Sequence, residues 1–364
     1  MKKVLISGYY GFDNSGDDAI LKAIVKDLKA RDNSIQITAF SNNPTFTKKI
    51  YGIEAVDRFA IMNIIRAIKD CDLFISGGGS LLQDITSTRS LLYYLALIKL
   101  ARIFNKPVMV YANGIGPING NINRYLTRKV LDRVDLITLR DEDSKKFIEE
   151  LGVKNKNVYV TADPVFTLEP TDEETIEKIL EKEGIRANRP LVGVSVRKWT
   201  NAENLIWILG KTIDYIIEKY KVNVVLIPMH YPEDLSISNE ILKQVTKDGC
   251  YIISNKYNVE DIMGIIKRLE IIVAMRLHSL IYAATQNVPM VGIVYDPKIE
   301  GILKSIDMEY MCPVENLEYD QLVSNIDQVW ESKEDLRKRL KESDEKMRKE
   351  ALKNVHMALE LLQE

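Results

Sequence analysis

The sequence predicts an α/β protein of two doubly wound domains of similar size, each a parallel sheet covered by helices on both faces. Three observations carry this expectation. Short, nearly continuous apolar runs alternate with longer helical stretches along most of the chain, the pattern of strands buried on both faces. The alternation breaks once, between Asp163 and Pro190, and then restarts. A length of 364 residues also suits two domains better than one.

Composition narrows the classes. Hydrophobic residues make up 46% and charged residues 28%, which supports folded cores and argues against disorder. Lys and Arg number 50 against 52 Asp and Glu, a formal net charge of −2, so no chain-wide basic footprint for nucleic acid exists. The three cysteines, Cys71, Cys250 and Cys312, are far apart and form no CxxC pair. That pattern suggests neither a disulfide framework nor a thiolate zinc site and fits a reducing cytoplasm. The apolar run before Ser7 is too short for a signal-peptide core. The run Leu91–Ile98 falls well below the roughly 18 residues that span a bilayer. Any membrane contact would be peripheral. The stretch Leu91–Leu100 is expected to belong to the core, with membrane contact as the alternative.

In the first domain, 1–168, strands are expected at 3–7, 35–39, 72–76, 107–112, 135–139 and 157–160. Helical stretches are expected after the first loop to about Lys29, then near 59–69, 89–104, 121–132 and 143–151. The acidic, lysine-rich stretch 171–183 reads as a surface helix between two proline-bearing ends, and the domain boundary is placed there. The second domain, 185–320, repeats the alternation: strands at 191–196, 222–227, 250–253, 270–274 and 289–294, with helices at 201–219, 235–248, 258–268 and 278–286. The tail 331–364 is dense in Lys and Glu and carries spaced apolar residues from Leu336 to Leu359. It is expected to form one or two amphipathic helices with a solvated surface.

Ligands of open parallel sheets bind outside the carboxyl ends of the strands, so the loops after strands are searched for chemistry. The first, GYYGFDNSGDD at 8–18, runs into a helix. Its glycines permit close backbone approach, and its acids suit hydrogen bonding to a polyol better than a bare phosphate cradle. Asp17 or Asp18 also suits a simple N-cap. The second, GGGSLLQD at 77–84, carries three consecutive glycines, which a mere turn does not need. A third glycine-bearing turn follows at 111–117. Arg140 and Arg197 end strands and could hold carboxylate or phosphate bidentately, or pair with a local acid. The sharpest element is Arg276-Leu277-His278-Ser279, which opens a helix after a strand. Lys298 follows the last apolar strand of the second set, where an ordinary surface lysine is the alternative. His230 is a weaker candidate, and His356, in the charged tail, is expected to have no chemical role.

The loop at 8–18, the GGGSLLQD segment, Leu139-Arg140-Asp141 and Arg276-Leu277-His278-Ser279 together resemble the polysaccharide pyruvyl transferase family, in particular its CsaB type. The resemblance runs from residue 1 to about 310. It implies two Rossmann-like domains facing a cleft, similar to the GT-B glycosyltransferases. It implies a phosphoenolpyruvate donor whose pyruvyl group is placed as a 4,6-linked ketal on a sugar, N-acetylmannosamine in the CsaB type, of a cell-wall polysaccharide precursor, with release of phosphate. By that resemblance Arg276, Leu277, His278 and Lys298 belong to the donor site, with Arg140 as a further cation; Arg197 is counted with them from its place at a strand end. The acceptor falls on the first domain, at Asp13, Asn14, Gly78 and Gly79. His278 is expected to serve as general acid or phosphate ligand, and Asp17 or Asp84 to deprotonate or orient the attacking hydroxyl.

A cytoplasmic enzyme with no cofactor and no metal is expected, since Asp17-Asp18 is not a DxD motif and His230-x-x-Glu233-Asp234 does not match a zinc helix. A hexosamine-containing acceptor carried on a lipid would bring the enzyme to the inner face of the membrane. Two other readings suit the same fold: a GT-B glycosyltransferase using a sugar nucleotide, and a non-catalytic glycan-binding protein.

Overall fold

In the computed structural model, residues 1–85, 87–186, 188–200, 202 and 204–363 are described. Asn201 and Glu203, in the expected helix 201–219, and Glu364 of the tail lie outside them. The chain divides into two compact units, unit 1 of Met1–Thr167 with Met347–Glu364, and unit 2 of Leu168–Lys346.

Unit 1 runs β1 (Lys3–Ser7), α1 (Ser15–Arg31), β2 (Gln36–Ser41), α2 (Pro44–Tyr51), β3 (Glu54–Asp57), α3 (Ile61–Asp70), β4 (Leu73–Ser76), α4 (Thr88–Ile103), β5 (Val108–Asn113), α5 (Asn121–Leu131), β6 (Leu136–Leu139), α6 (Glu142–Glu150) and β7 (Val158–Val160). Its seven-stranded sheet has the order β3-β2-β1-β4-β5-β6-β7, all pairs parallel. Right-handed crossovers then place α3 to α6 on one face and α1 and α2 on the other. The core on the first face draws Ile64 and Ile68 from α3, Leu95 and Ile98 from α4 and Ile148 from α6 against Leu5, Phe74 and Val110 of the strands.

Unit 2 runs α7 (Glu173–Lys182), β8 (Leu191–Ser195), α8 (Leu205–Tyr220), β9 (Asn223–Leu226), α9 (Glu233–Leu242), β10 (Cys250–Ile252), α10 (Val259–Lys267), β11 (Leu269–Ala274), α11 (Leu277–Thr285), β12 (Met290–Val294), α12 (Pro297–Ser305) and β13 (Met311–Pro313). Its six strands are ordered β10-β9-β8-β11-β12-β13, again parallel. The strands β8 and β9 are buried throughout, which is why they read as unbroken apolar runs.

Five elements differ from the sequence expectation, among them α12, which follows the last expected strand. The helix α2 and strand β3 fill 44–57, where none was expected. β3 has four residues at the sheet edge and buries only Ala55, so it carries no apolar run. β13, an edge strand of three residues, escapes for the same reason. The last is the tail, which is the greater part of one helix, α13 (Tyr319–Gln363). The solvated reading is corrected by its buried residues: Leu336 and Leu340 in unit 2, and Val355, Ala358 and Leu362 in unit 1. Asn354, also buried, accepts from the Thr161 hydroxyl at 2.8 Å and donates to Ala162 O at 3.1 Å. Lys and Glu on the other faces mask this apolar stripe in composition.

Asp27 of α1 is buried beneath Thr167, whose hydroxyl donates to it at 2.8 Å, while Lys26 Nζ reaches Thr167 O at 2.7 Å. Burial pushes the Asp27 carboxyl up to about 6, and the Thr167 hydrogen bond opposes the shift only in part. A carboxyl whose folded value exceeds its unfolded one near 3.9 stabilises the fold relative to neutral pH when protonated, and that benefit is lost as pH rises from about 4 to about 6. Asp27→Asn is therefore expected to raise stability at pH 7 by about 3 kcal/mol at most. Urea unfolding from pH 4 to pH 8 checks this: the variant should gain most above pH 6 and match the parent near pH 4.

Candidate functional site

In each sheet the strand order reverses once, between β1 and β4 in unit 1 and between β8 and β11 in unit 2. Loops leave such a switch point in opposite directions and open a crevice at the carboxyl edge. The sequence-derived candidates fall on these edges, seven in unit 1 and five in unit 2.

In unit 1 the loop after β1 turns on Gly11 (φ 77°) and Asp13 (φ 60°), the latter in the left-handed region that an aspartate tolerates better than most side chains. Asn14 is the N-cap of α1, accepting from Gly16 N at 3.1 Å. Asp17 and Asp18 lie in the first helical turn, so neither is the cap the sequence suggested. The glycines serve packing within the protein. A Cβ on Gly77 would stand 2.1 Å from the Tyr10 hydroxyl and one on Gly8 2.2 Å from the Tyr10 ring. The Tyr10 ring, 1% exposed, thus wedges the β1 and β4 loops together. A Cβ on Gly78 would stand 2.9 Å from the Ile20 side chain, and one on Gly79 (φ 88°) 3.2 Å from Asp17 Oδ1, so the acidic loop packs against the triple glycine.

Asp84 is committed to its own neighbourhood. Its Oδ1 accepts from Asn119 N at 2.8 Å, and Oδ2 from Gly120 N at 3.0 Å and Asn123 Nδ2 at 2.8 Å. Burial works against the charged form, but these donors hold the carboxyl below its usual range. Its geometry is that of a clasp between the β4 and β5 loops. Arg140 is similarly engaged. Nη1 meets the buried Asp163 at 3.1 Å and Nη2 donates to Ser80 Oγ at 3.0 Å, beside Gly114.

In unit 2, β8 and β11 pair through Ser195 and Ala274, so Arg197 and Arg276 each lie two residues beyond the same rung. Arg276 is the N-cap residue of α11, and its side chain does not cap the helix, so the positive end of the α11 dipole lies at the carboxyl edge of β11 with no side-chain cap. Its guanidinium is held bidentately by Asp234, which is fully buried: Nε donates at 2.8 Å and Nη2 pairs with the other oxygen. Asp234 Oδ2 also accepts from His230 N at 3.0 Å and Met229 N at 3.2 Å, which ties the β9 loop to α11. Nη1 of Arg276 makes no hydrogen bond among the described residues and is the free prong of the fork. Leu277 and His278 occupy the first turn of α11, with the His278 ring 6.4 Å from that of Tyr282.

Arg197 lies over the Tyr295 ring at 4.8 Å and donates from Nη1 to the Tyr295 hydroxyl at 3.2 Å; Trp199 packs on the same ring. Arg197 Nε and Trp199 Nε1 are buried N–H donors with no acceptor among the described residues. Lys298 stands in the first turn of α12, which Asp296 caps.

Two residues were missed by sequence reasoning. Asp234 resembles any acid in a first helical turn, and only its burial marks it as the partner of Arg276. Arg58, 6% exposed, is ringed by Tyr9, Phe12, Phe59, Tyr93 and Tyr94 with its Cζ 4.7–6.0 Å from the ring centroids and has no carboxylate partner among the described residues. Aromatic faces replace the acid in stabilising its charge. No sequence signal announces this cage, because its rings come from three separate segments.

The chain matches the family described as polysaccharide pyruvyl transferase over residues 14–297. It belongs to the polysaccharide pyruvyl transferase family. The match takes in Asn14, the glycine loops at 77–84 and 111–117 and Arg276 to His278; it begins one residue after Asp13 and stops one residue short of Lys298. The amylovoran biosynthesis protein AmsJ of Erwinia amylovora is 21% identical, over 95% of this chain and 96% of the relative. Among solved structures, Anabaena Alr3699/HepE in complex with UDP-glucose superposes with a TM-score of 0.68 at 12% identity, covering all of both chains. The UDP-GlcNAc 2-epimerase of Neisseria meningitidis, bound to UDP-GlcNAc, gives 0.66 at 15% identity over 99% of each chain. A glycosyltransferase from Rickettsia africae ESF-5 gives 0.66 at 13% identity, over 100% of this chain and 99% of that one. These neighbours show a GT-B-like fold.

Removing one partner of a buried pair leaves the other charge uncompensated, a loss of about 3–5 kcal/mol when desolvation is complete. Arg276 keeps some solvent contact, so Asp234→Asn is expected to lose about 2 kcal/mol. The double variant Asp234→Asn/Arg276→Met should recover part of that loss in urea unfolding. Strict additivity of the two single changes would show that the pair is not coupled.

Proposed function

We propose that the chain transfers the pyruvyl group of phosphoenolpyruvate to a sugar of a polysaccharide precursor, forming a cyclic ketal and releasing phosphate. The observation that carries this reading is the cation pair at the unit 2 switch point: Arg276, preset by Asp234, and Arg197, beside buried donors that lack acceptors. A compact donor bearing a carboxylate and a phosphate supplies acceptors on two sides, and a guanidinium fork meets either group bidentately. The dipole at the N-terminus of α11 and Lys298 in the first turn of α12 add positive potential on the same edge.

The chemistry requires a proton at the donor's methylene carbon, which turns the adjoining carbon into an oxocarbenium-like centre. A sugar hydroxyl attacks that carbon and loses its proton. The carbon–oxygen bond to phosphate then breaks, and the second hydroxyl closes the ring, its proton leaving with phosphate or solvent. His278, in the first turn of α11, is assigned the proton delivered to carbon or the binding of phosphate. Asp17 is assigned the attacking hydroxyl, because its carboxylate lies against Gly79 on the acidic loop, where Asp13 and Asn14 offer further hydrogen bonds to a polyol. Asp84 is a positioning residue, since its oxygens already serve Asn119, Gly120 and Asn123. Arg140, paired with Asp163, supports the unit 1 loops in the same way. A β-linked hexosamine, with N-acetylmannosamine as the first choice, is the proposed acceptor.

The test is phosphate release from phosphoenolpyruvate with and without a disaccharide containing β-linked N-acetylmannosamine. Acceptor-dependent release is expected, with kcat/KM falling about 100-fold or more in Arg276→Ala and in His278→Ala. No release with any hexosamine acceptor, together with a melting-temperature rise on adding a sugar nucleotide, would replace this reading with sugar-nucleotide glycosyl transfer.

A further inference from the structure

The helices α3, α4 and α5 of unit 1 lie side by side, α3 against α4 and α4 against α5. Their outward faces differ in chemistry from the rest of the chain. On α4 the exposed positions recur every three or four residues, at Arg89, Leu92, Ala96, Lys99 and Ile103. The same spacing exposes Ile122, Tyr125 and Lys129 on α5, and Met62, Arg66 and Lys69 on α3. Apolar and basic side chains therefore alternate across one continuous face.

Charge on this face is one-sided. α3 carries two basic residues and α4 and α5 three each, whereas Asp70, the last residue of α3, is their only acid. In a chain of net charge −2, that is strong segregation. Arg66, Lys69, Arg89, Lys99, Arg128 and Lys129 form no ion pair among the described residues. Lys69 rests instead on the Phe104 ring at 4.9 Å, and Lys129 on the Tyr125 ring at 5.6 Å. The apolar members are well exposed, with Met62 at 73%, Ile122 at 75% and Ile103 at 62%. Six of the twelve large apolar side chains exposed among the described residues lie on these three helices, and only Trp207 belongs to unit 2.

We propose that this face docks peripherally on an anionic lipid surface. The apolar side chains enter the boundary between headgroups and acyl chains, and the lysines and arginines meet lipid phosphates, the arrangement by which interfacial helices bind. Among the described residues no helix is long and apolar enough to cross a membrane, so the contact is one of surface only. A protein interface would gather the apolar residues into a centre depleted of charge, whereas here cations stand between them. Nucleic acid would use the cations and gain nothing from Met62, Ile103 or Ile122. The inference stands apart from the donor chemistry, because vesicle binding is read without turnover.

The experiment is co-sedimentation of the full chain with phosphatidylcholine vesicles, with and without phosphatidylglycerol, at low and high sodium chloride. Binding is expected with the anionic vesicles only, and is expected to weaken with salt. Met62→Asp and Ile122→Asp should each lower it severalfold, and Lys99→Glu/Lys129→Glu should lower it and flatten its salt dependence, while Trp207→Asp leaves it unchanged. All these positions are at the surface, and thermal melts establish that each variant is folded. The proposal is overturned if the parent binds no vesicles, if the folded variants bind as the parent does, or if light scattering shows a dimer that Met62→Asp and Ile122→Asp dissociate while vesicle binding persists.

Discussion

A strand can be followed by a parallel neighbour only through a crossover, and crossovers in these folds are right-handed. The placement of both candidate sites depends on that constraint. In unit 1 the chain lays β1, β2 and β3 outward in one direction and returns to place β4 on the free side of β1; in unit 2 it does the same with β8, β9, β10 and β11. Each return leaves one crevice at the carboxyl edge. The two crevices share a topology and differ in what fills them. In unit 1 the Tyr10 ring occupies the space that side chains at Gly8 and Gly77 would take, with acids gathered around it. In unit 2 two arginines flank the reversal, and the helix that follows β11 has no side-chain cap. One edge gathers acids and the other cations, a division set by side chains on a common backbone plan.

Buried charge shows how each edge is held. Asp234 and Asp163 are both almost without solvent contact, and each is answered by an arginine, Arg276 and Arg140. The two pairs differ in what they leave free. Arg140 spends its fork on Asp163 and Ser80, and so stiffens loops. Arg276 gives two nitrogens to Asp234 and keeps a third, which fixes the guanidinium plane while leaving a donor for a ligand. A buried pair of this kind adds little net stability, because desolvation offsets much of the attraction. Orientation is the stronger physical reason for its presence. Arg58 takes a third solution, in which aromatic faces stabilise the charge with no acid at all.

Legibility in the sequence followed burial and length. Strands buried on both faces, such as β8 and β9, read directly as apolar runs; Gly77 to Gly79 stood out because a turn does not need three consecutive glycines, and Arg276-Leu277-His278 because it sets one of only three histidines beside an arginine at a helix start. The edge strands β3 and β13 were invisible, since a strand of three or four residues with one buried side carries no period. What the glycines were for was also hidden. Three in a row signalled close approach, but only the fold shows that the approaching groups are Tyr10 and Ile20. Asp234 could not be distinguished from a helix-dipole acid, because its partner lies 42 residues further along. The tail misled through composition, since Lys and Glu on the outer faces of α13 outnumber the apolar residues that it buries.

A net charge near zero says how many charges a chain carries and nothing about where they stand. Here the averaging hides an arrangement in which three adjacent helices carry nearly all one sign, while acids concentrate in the β1 loop and along the outer faces of other helices. Like charges on neighbouring helices repel, and exposed Ile and Met side chains order water without gaining packing, so the face carries a cost in the isolated chain. Half of the large apolar residues exposed among the described residues nevertheless lie on these three helices. Folding alone gives no reason for that coincidence of cations and apolar side chains. An anionic, partly apolar surface relieves both terms at once, because its phosphates neutralise the lysines and arginines and its acyl boundary removes the apolar groups from water.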